Sequence, residues 1–168
     1  GFRLAHPIYS ITDGKETGIS KDDVAKLLYD NDFNAENTTV SSDTLYKSAK
    51  VPFAYDYADK DTDVYNSKVA HGNAVAGIAS GNSASYKGIL PEAQLVLMKI
   101  TTNSGSLSTT KSFTALEDAV KLGVCAINCS FGADYISPQN EAIWETSYRN
   151  ARNAGVLVCV SSGNKGRG

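Results

Sequence analysis

Residues 70 to 161 predict an α/β fold, three-layered, with a mostly parallel sheet covered by helices on both faces, and three features carry that prediction. Helix-like and strand-like stretches alternate with short connections. The strand-like stretches, LVLMKI and VLVCV among them, are apolar almost without interruption, as strands buried on both sides are. Glycine follows two of the helix candidates, at Gly123 and Gly155, where a left-handed cap is wanted.

Along the chain, the first helix candidate is Lys21 to Tyr29, amphipathic, with Ser20 and Asp23 spaced for a capping box. Residues 8 to 67 around it are polar and rich in Asp, Asn and Lys. Within them VPFAYDYA, Val51 to Ala58, alternates in part like a strand leaving a loop. The acidic run Asp56 to Asp63 reads as a solvated surface, since its carboxylates lack a dense ligand spacing.

The α/β rhythm then sets in with a helix from His71 to Ser80 and a strand from Leu95 to Ile100. It continues with a helix from Ser112 to Leu122, a strand from Val124 to Ser130, a helix from Asn140 to Ala154 and a strand from Val156 to Ser161. On the first of these helices His71, Val75 and Ile78 stand at i, i+4 and i+7, which places the imidazole on the inward apolar face. Gly72 and Gly77 each cost roughly 1 kcal/mol relative to Ala in a helix interior. Such a weak helix is expected where backbones pack closely.

Composition narrows the function classes. The net charge of −2 and an apolar content of 42% disfavour disorder and a nucleic-acid-binding surface. No apolar run approaches the ~20 residues that span a bilayer, and GFRLAHPIYS has no signal-peptide pattern. Cys125, Cys129 and Cys159 sit in apolar runs and read as small core hydrophobes, without zinc spacing or a disulfide framework. SSGNKGRG holds no phosphate-loop motif, which argues against nucleotide binding. The chain begins at Gly rather than Met and stops in a glycine-rich run, so a fragment is expected.

Ligands of such sheets gather at the carboxyl ends of the strands. Thr101 to Ser106, Ser130-Phe131-Gly132 and Ser161 to Asn164 lie there, small and polar enough for an extended peptide to approach the backbone. His71 is then either a buried polar residue or a general base, and a base needs a partner that orients its second ring nitrogen.

HGNAVAGI, His71 to Ile78, resembles the histidine segment of the subtilisin-like serine peptidases, usually HGTHVAGI. GILPEAQLVLMKI (Gly88 to Ile100), INCSFG (Ile127 to Gly132) and VCVSSGN (Val158 to Asn164) follow in the family's order. GFRLAHP resembles the segment after the family's catalytic aspartate, and the insert before the histidine is most similar to the cell-envelope proteinases of the lactocepin and streptococcal C5a peptidase group.

The resemblance implies a subtilisin-like domain, incomplete in residues 1 to 168. The chain would start just after the catalytic aspartate, two residues before Gly1, and end before the nucleophilic serine. Asp13 in ITDG is a poor substitute for that aspartate. His71 would be the general base, Asn164 the oxyanion donor, and Ser130, Phe131 and Gly132 the strand that pairs with the substrate backbone.

The implied activity is that of a secreted or cell-wall-associated serine endopeptidase acting on polypeptides, with the rest of the catalytic domain as its partner and no nucleic acid. No cofactor is called for, although calcium is common in the family. Asn73 and Ala74 stand where threonine and histidine are usual, neither of them triad positions. They keep open an alternative, a non-catalytic relative that binds peptides or partners. By itself the chain is expected to be inactive.

Overall fold

The computed structural model describes the backbone of residues 2–7 and, in full, residues 18–30, 40–65, 70–107, 109–132 and 136–164. Its elements in chain order are β1 (Phe2–Pro7), α1 (Lys21–Asp30), α2 (Ser42–Leu45), β2 (Phe53–Asp56), α3 (His71–Ser80), β3 (Ala93–Lys99), α4 (Thr109–Lys121), β4 (Ala126–Cys129), α5 (Pro138–Asn153) and β5 (Leu157–Val160). Each predicted helix and strand is present, displaced at its ends by up to about three residues.

The strands form one sheet in the order β2-β3-β1-β4-β5. β2 runs parallel to β3, with Phe53 opposite Val96 and Asp56 opposite Lys99. β4 runs parallel to β5, from Ala126 opposite Leu157 to Cys129 opposite Val160. Parallel neighbours need crossover connections, and α3 and α5 lie within them. β1 fills the centre antiparallel to both β3 and β4, so the other four strands share one direction. The sequence reading did not mark FRLAHP as a strand, because a six-residue segment ending in proline carries little periodicity.

Local chemistry sets the element ends. The Ser20 N–H donates to Asp23 Oδ2 at 2.7 Å and the Asp23 N–H to Ser20 Oγ at 3.3 Å, which closes the predicted capping box. Ser41 and Thr44 cap α2 in the same reciprocal way, a helix too short to have shown a period. Gly123 and Gly155 adopt φ of 71° and 81°, the left-handed conformation expected after α4 and α5.

The core lies between the sheet and the helices. Phe53, Val96, Val124, Val24 and Leu45 are its largest fully buried apolar side chains. β2 and the start of β3 are buried throughout, as strands covered on both faces should be. β5 departs from that expectation: it is the outer strand, and Leu157, Cys159 and Val160 are exposed. The cysteine reading is corrected accordingly. Cys129 is a core residue, Cys125 is half-buried and Cys159 stands at the surface.

Candidate active site

α3 begins at His71, behind Ala70, whose φ of −75° and ψ of 0° give a helix start without any side-chain cap. The expected inward face is not observed. Ile78 is 60% exposed, His71 is exposed, and Ser80 alone in α3 is fully buried. Asn73 and Ala76 are half-buried and line the cavity described below, and Val75 is half-buried. Hydrophobic periodicity groups the large side chains on one face, and here Ile78 of that face is turned to solvent.

Close backbone packing is found at the end of α3, and the Gly77 carbonyl takes part in it although the Gly77 Cα itself faces open space. A Cβ built on Gly77 would meet no atom within 4 Å. On Gly88 it would lie 2.7 Å from the Gly77 carbonyl oxygen and 2.7 Å from the Gly81 nitrogen. The tight contact thus belongs to the segment that folds back over the end of α3.

The imidazole of His71 reaches across to the end of β4, with Nε2 3.0 Å from the Ser130 carbonyl oxygen. A carbonyl only accepts, so Nε2 is the donor in this arrangement. A base acting through Nε2 needs the opposite tautomer, held by an acceptor facing Nδ1. Beside the ring lies a cavity of about 240 Å³, walled by α3, the carboxyl end of β3 and the end of β4. His71, Asn73, Met98, Ile100, Ser130 and Phe131 line it, and none of the described residues around it is a carboxylate. Phe2, the first residue of β1, pairs with Leu97 and Asn128, so the amino end of β1 is aimed at this space.

The other predicted site residues sit on the same edge of the sheet. Ser130 is fixed by its hydroxyl, which accepts from Asn128 Nδ2 at 2.7 Å. The Phe131 carbonyl accepts from Ser161 Oγ at 3.0 Å, and its ring leans on Trp144 with centroids 5.8 Å apart. Gly132 is exposed, with no atom within 4 Å of where a Cβ would be. Asn164 is exposed beyond the carboxyl end of β5, after Gly163 at φ 82°, and does not line the cavity. The structure therefore brings together His71, Ser130 and Phe131. Asp13 lies outside the described residues.

Sequence reasoning missed the ion cluster around Lys99. Lys99 lines the cavity, and its Nζ contacts Asp56 Oδ2, with Asp59 Oδ2 and Asn103 Oδ1 each at 3.0 Å. Asp56 is fully buried, not solvated as expected, because the β2 register sets it directly against Lys99. Burial pushes the Asp56 carboxyl up, against the hydrogen bond from Lys99. For Lys99 burial works downward, but the hydrogen bonds to Asp56 and Asp59 prevail and raise it. The hydrogen bond from Lys99 holds the Asp59 carboxyl low. A lone lysine in the apolar run LVLMKI was the available signal, since a buried ammonium must be paired.

Asp56 and Asp59 are committed to Lys99, and Asp61 and Asp63 accept backbone N–H groups at 2.8 and 3.1 Å. Among the described residues no three His, Cys, Asp or Glu side chains converge on a metal position. None of the described helices is long and apolar enough to cross a membrane.

The chain is 32% identical to the PII-type proteinase of Lactococcus lactis subsp. cremoris, over 99% of its own length and 9% of that protein. It is 32% identical to the PII-type proteinase of Lacticaseibacillus paracasei over the same shares. To the C5a peptidase of Streptococcus pyogenes serotype M3 it is 30% identical, over 98% of the chain and 14% of that protein. The chain thus spans only 9 to 14% of the length of these curated relatives. The sequence model of the subtilase family matches residues 24–168, which takes in α3 with His71 and the strands β2 to β5: the chain belongs to the subtilase family.

Proposed function

We propose that this chain is the histidine-bearing portion of a serine endopeptidase, secreted or held at the cell wall, that hydrolyses peptide bonds of extracellular proteins. The observation that carries the reading is the placement of His71, its ring against Ser130 and beside a cavity without a carboxylate toward which β1 points. An aspartate two residues ahead of Gly1 would enter that cavity, face Nδ1 and hold the proton there. Nε2 is then free to take the proton of a serine hydroxyl supplied by the remainder of the catalytic domain.

The serine oxygen attacks the scissile carbonyl, and the Asn164 amide donates to the oxyanion that forms. The imidazolium next gives its proton to the departing amine. An extended substrate pairs with the backbone of Ser130, Phe131 and Gly132, displacing the Ser161 hydroxyl from the Phe131 carbonyl. No cofactor takes part.

In the complete protein, a fluorophosphonate probe labels the serine, and His71→Ala abolishes labelling. Labelling that persists in that variant overturns the reading. Asn164→Ala lowers kcat by about 10²–10³, the size known for the oxyanion asparagine of subtilisin itself. The 168-residue chain alone cleaves nothing. A second reading, a non-catalytic peptide-binding relative, draws on Asn73, which lines the cavity beside His71 where threonine is usual. Absence of the aspartate or the serine from the complete protein decides for it.

A further inference from the structure

α3 is an unusual carrier for a base that must be held to within a fraction of an ångström. Its start has no side-chain cap, its interior contains Gly72 and Gly77, and its one fully buried residue is a serine at the far end from His71. Apolar burial therefore does not fix the helix. What fixes it is polar and concentrated around Ser80.

The Ser80 hydroxyl lies 2.7 Å from the Leu90 carbonyl oxygen and 2.8 Å from that of Ala93. Lys50 completes the cluster. Its Nζ is 2.5 Å from Ser80 Oγ, 2.5 Å from the Pro91 carbonyl oxygen and 2.5 Å from the Ala93 carbonyl oxygen, so its three donors have three acceptors. The Lys50 backbone is itself anchored, its carbonyl accepting from the Leu95 N–H of β3 at 2.8 Å. The last carbonyls of α3 are capped by the same returning segment, Ile78 by the Ile89 N–H and Ala79 by the Leu90 N–H, both at 2.9 Å.

From this we infer that Lys50 and Ser80 are positioning residues for the base: the ammonium pins the carboxyl end of α3 to the sheet and thereby sets where His71 stands. The inference rests on the reading of His71 as general base. An α-helix is stiff, and the nine steps from Ser80 to His71 span about 13 Å at 1.5 Å per residue. A tilt of about 5° about the Ser80 end moves the imidazole by about 1 Å, and a misplacement of that size costs about 10²-fold in rate. Neither residue touches substrate; each acts through the helix axis.

The test uses the complete peptidase, with active sites counted by fluorophosphonate titration. Lys50→Ala is expected to lower kcat per titrated site about 10- to 100-fold, with KM within about twofold and the pH profile unchanged in shape. Added n-propylammonium, which replaces the lost end of the side chain, is expected to restore part of that loss. Ser80→Ala leaves the lysine and its carbonyl partners in place and is expected to show a smaller fall of the same kind. A merely structural pair would lower the melting temperature and the number of titratable sites while leaving kcat per site at the parent value, and that result overturns the inference.

If Lys50→Ala does not fold, Ser80→Ala decides alone by the same kcat criterion. His71→Ala, run alongside, separates the two failures. Retained activity there removes the general base and the inference with it; lost activity there with unchanged kcat per site in the other variants removes only the inference.

Discussion

At the scale of single residues, the cavity is held between two polar contacts that differ in how visible they were. His71 was legible because its neighbours in sequence form a motif, and its contact with Ser130 follows from two segments of that motif meeting at one sheet edge. Asp56 was not, because an acidic run reads as solvent-facing until the register of β2 against β3 is known. That register makes a sharp prediction for Lys99. Lys99→Met leaves Asp56 buried without its cation, and breaking a buried pair from one side costs about 3–5 kcal/mol. The sign of the pH dependence follows: burial alone holds the folded-state pKa of Asp56 above its unfolded value, so folding then favours the protonated carboxyl. The stability this gives is present below the unfolded value and lost as pH rises through the folded one. Urea unfolding of the complete protein is expected to show a larger deficit for Lys99→Met at pH 7 than at pH 5. A deficit equal at both would mean that Asp56 finds another partner.

At the scale of elements, capping and glycine chemistry were readable, whereas the orientation of α3 was not. Ser20, Asp23, Gly123 and Gly155 act through their own backbone, so their behaviour depends on little beyond local sequence. Which face of α3 meets the sheet depends on how much room the sheet leaves, and that is a property of the assembled core. The two glycines near the end of α3 turn this into a measurable contrast. Gly77→Ala places its methyl where no atom lies within 4 Å and removes a helix-interior glycine, so it is expected to stabilise by up to about 1 kcal/mol. Gly88→Ala drives a methyl against backbone atoms of Gly77, Gly81 and Ile78 at 2.7 to 2.8 Å, none of which belongs to a flexible side chain. It is expected to destabilise by about 1–3 kcal/mol. Equal and small effects at both positions would show that the segment over the end of α3 yields.

At the scale of the whole molecule, the α/β sheet of the family is present and, among the described residues, ends in the exposed strand β5. The α/β class was legible from alternation alone, while β1 was not, since a central antiparallel strand is placed by its neighbours and not by its own six residues. The same sheet explains what the chain should bind. β5 ends the sheet with Leu157 63% and Val160 50% exposed, and Ile78 and Ile89 stand 60% and 79% exposed at the end of α3. An outer parallel strand offers unpaired backbone groups on one side, and apolar residues of this size are costly to leave in water. If the remainder of the catalytic domain is supplied as a separate chain, the two are expected to associate through these surfaces. Sedimentation is expected to show a 1:1 complex, and hydrogen exchange to show new protection along Leu157–Val160 and around Ile78. Leu157→Asp, which puts a charge on the outer strand, is expected to weaken the complex at least about tenfold, the effect of burying an unpaired carboxylate or leaving it outside. A complex that forms equally well with Leu157→Asp, and leaves exchange at β5 unchanged, would place the partner elsewhere on the molecule.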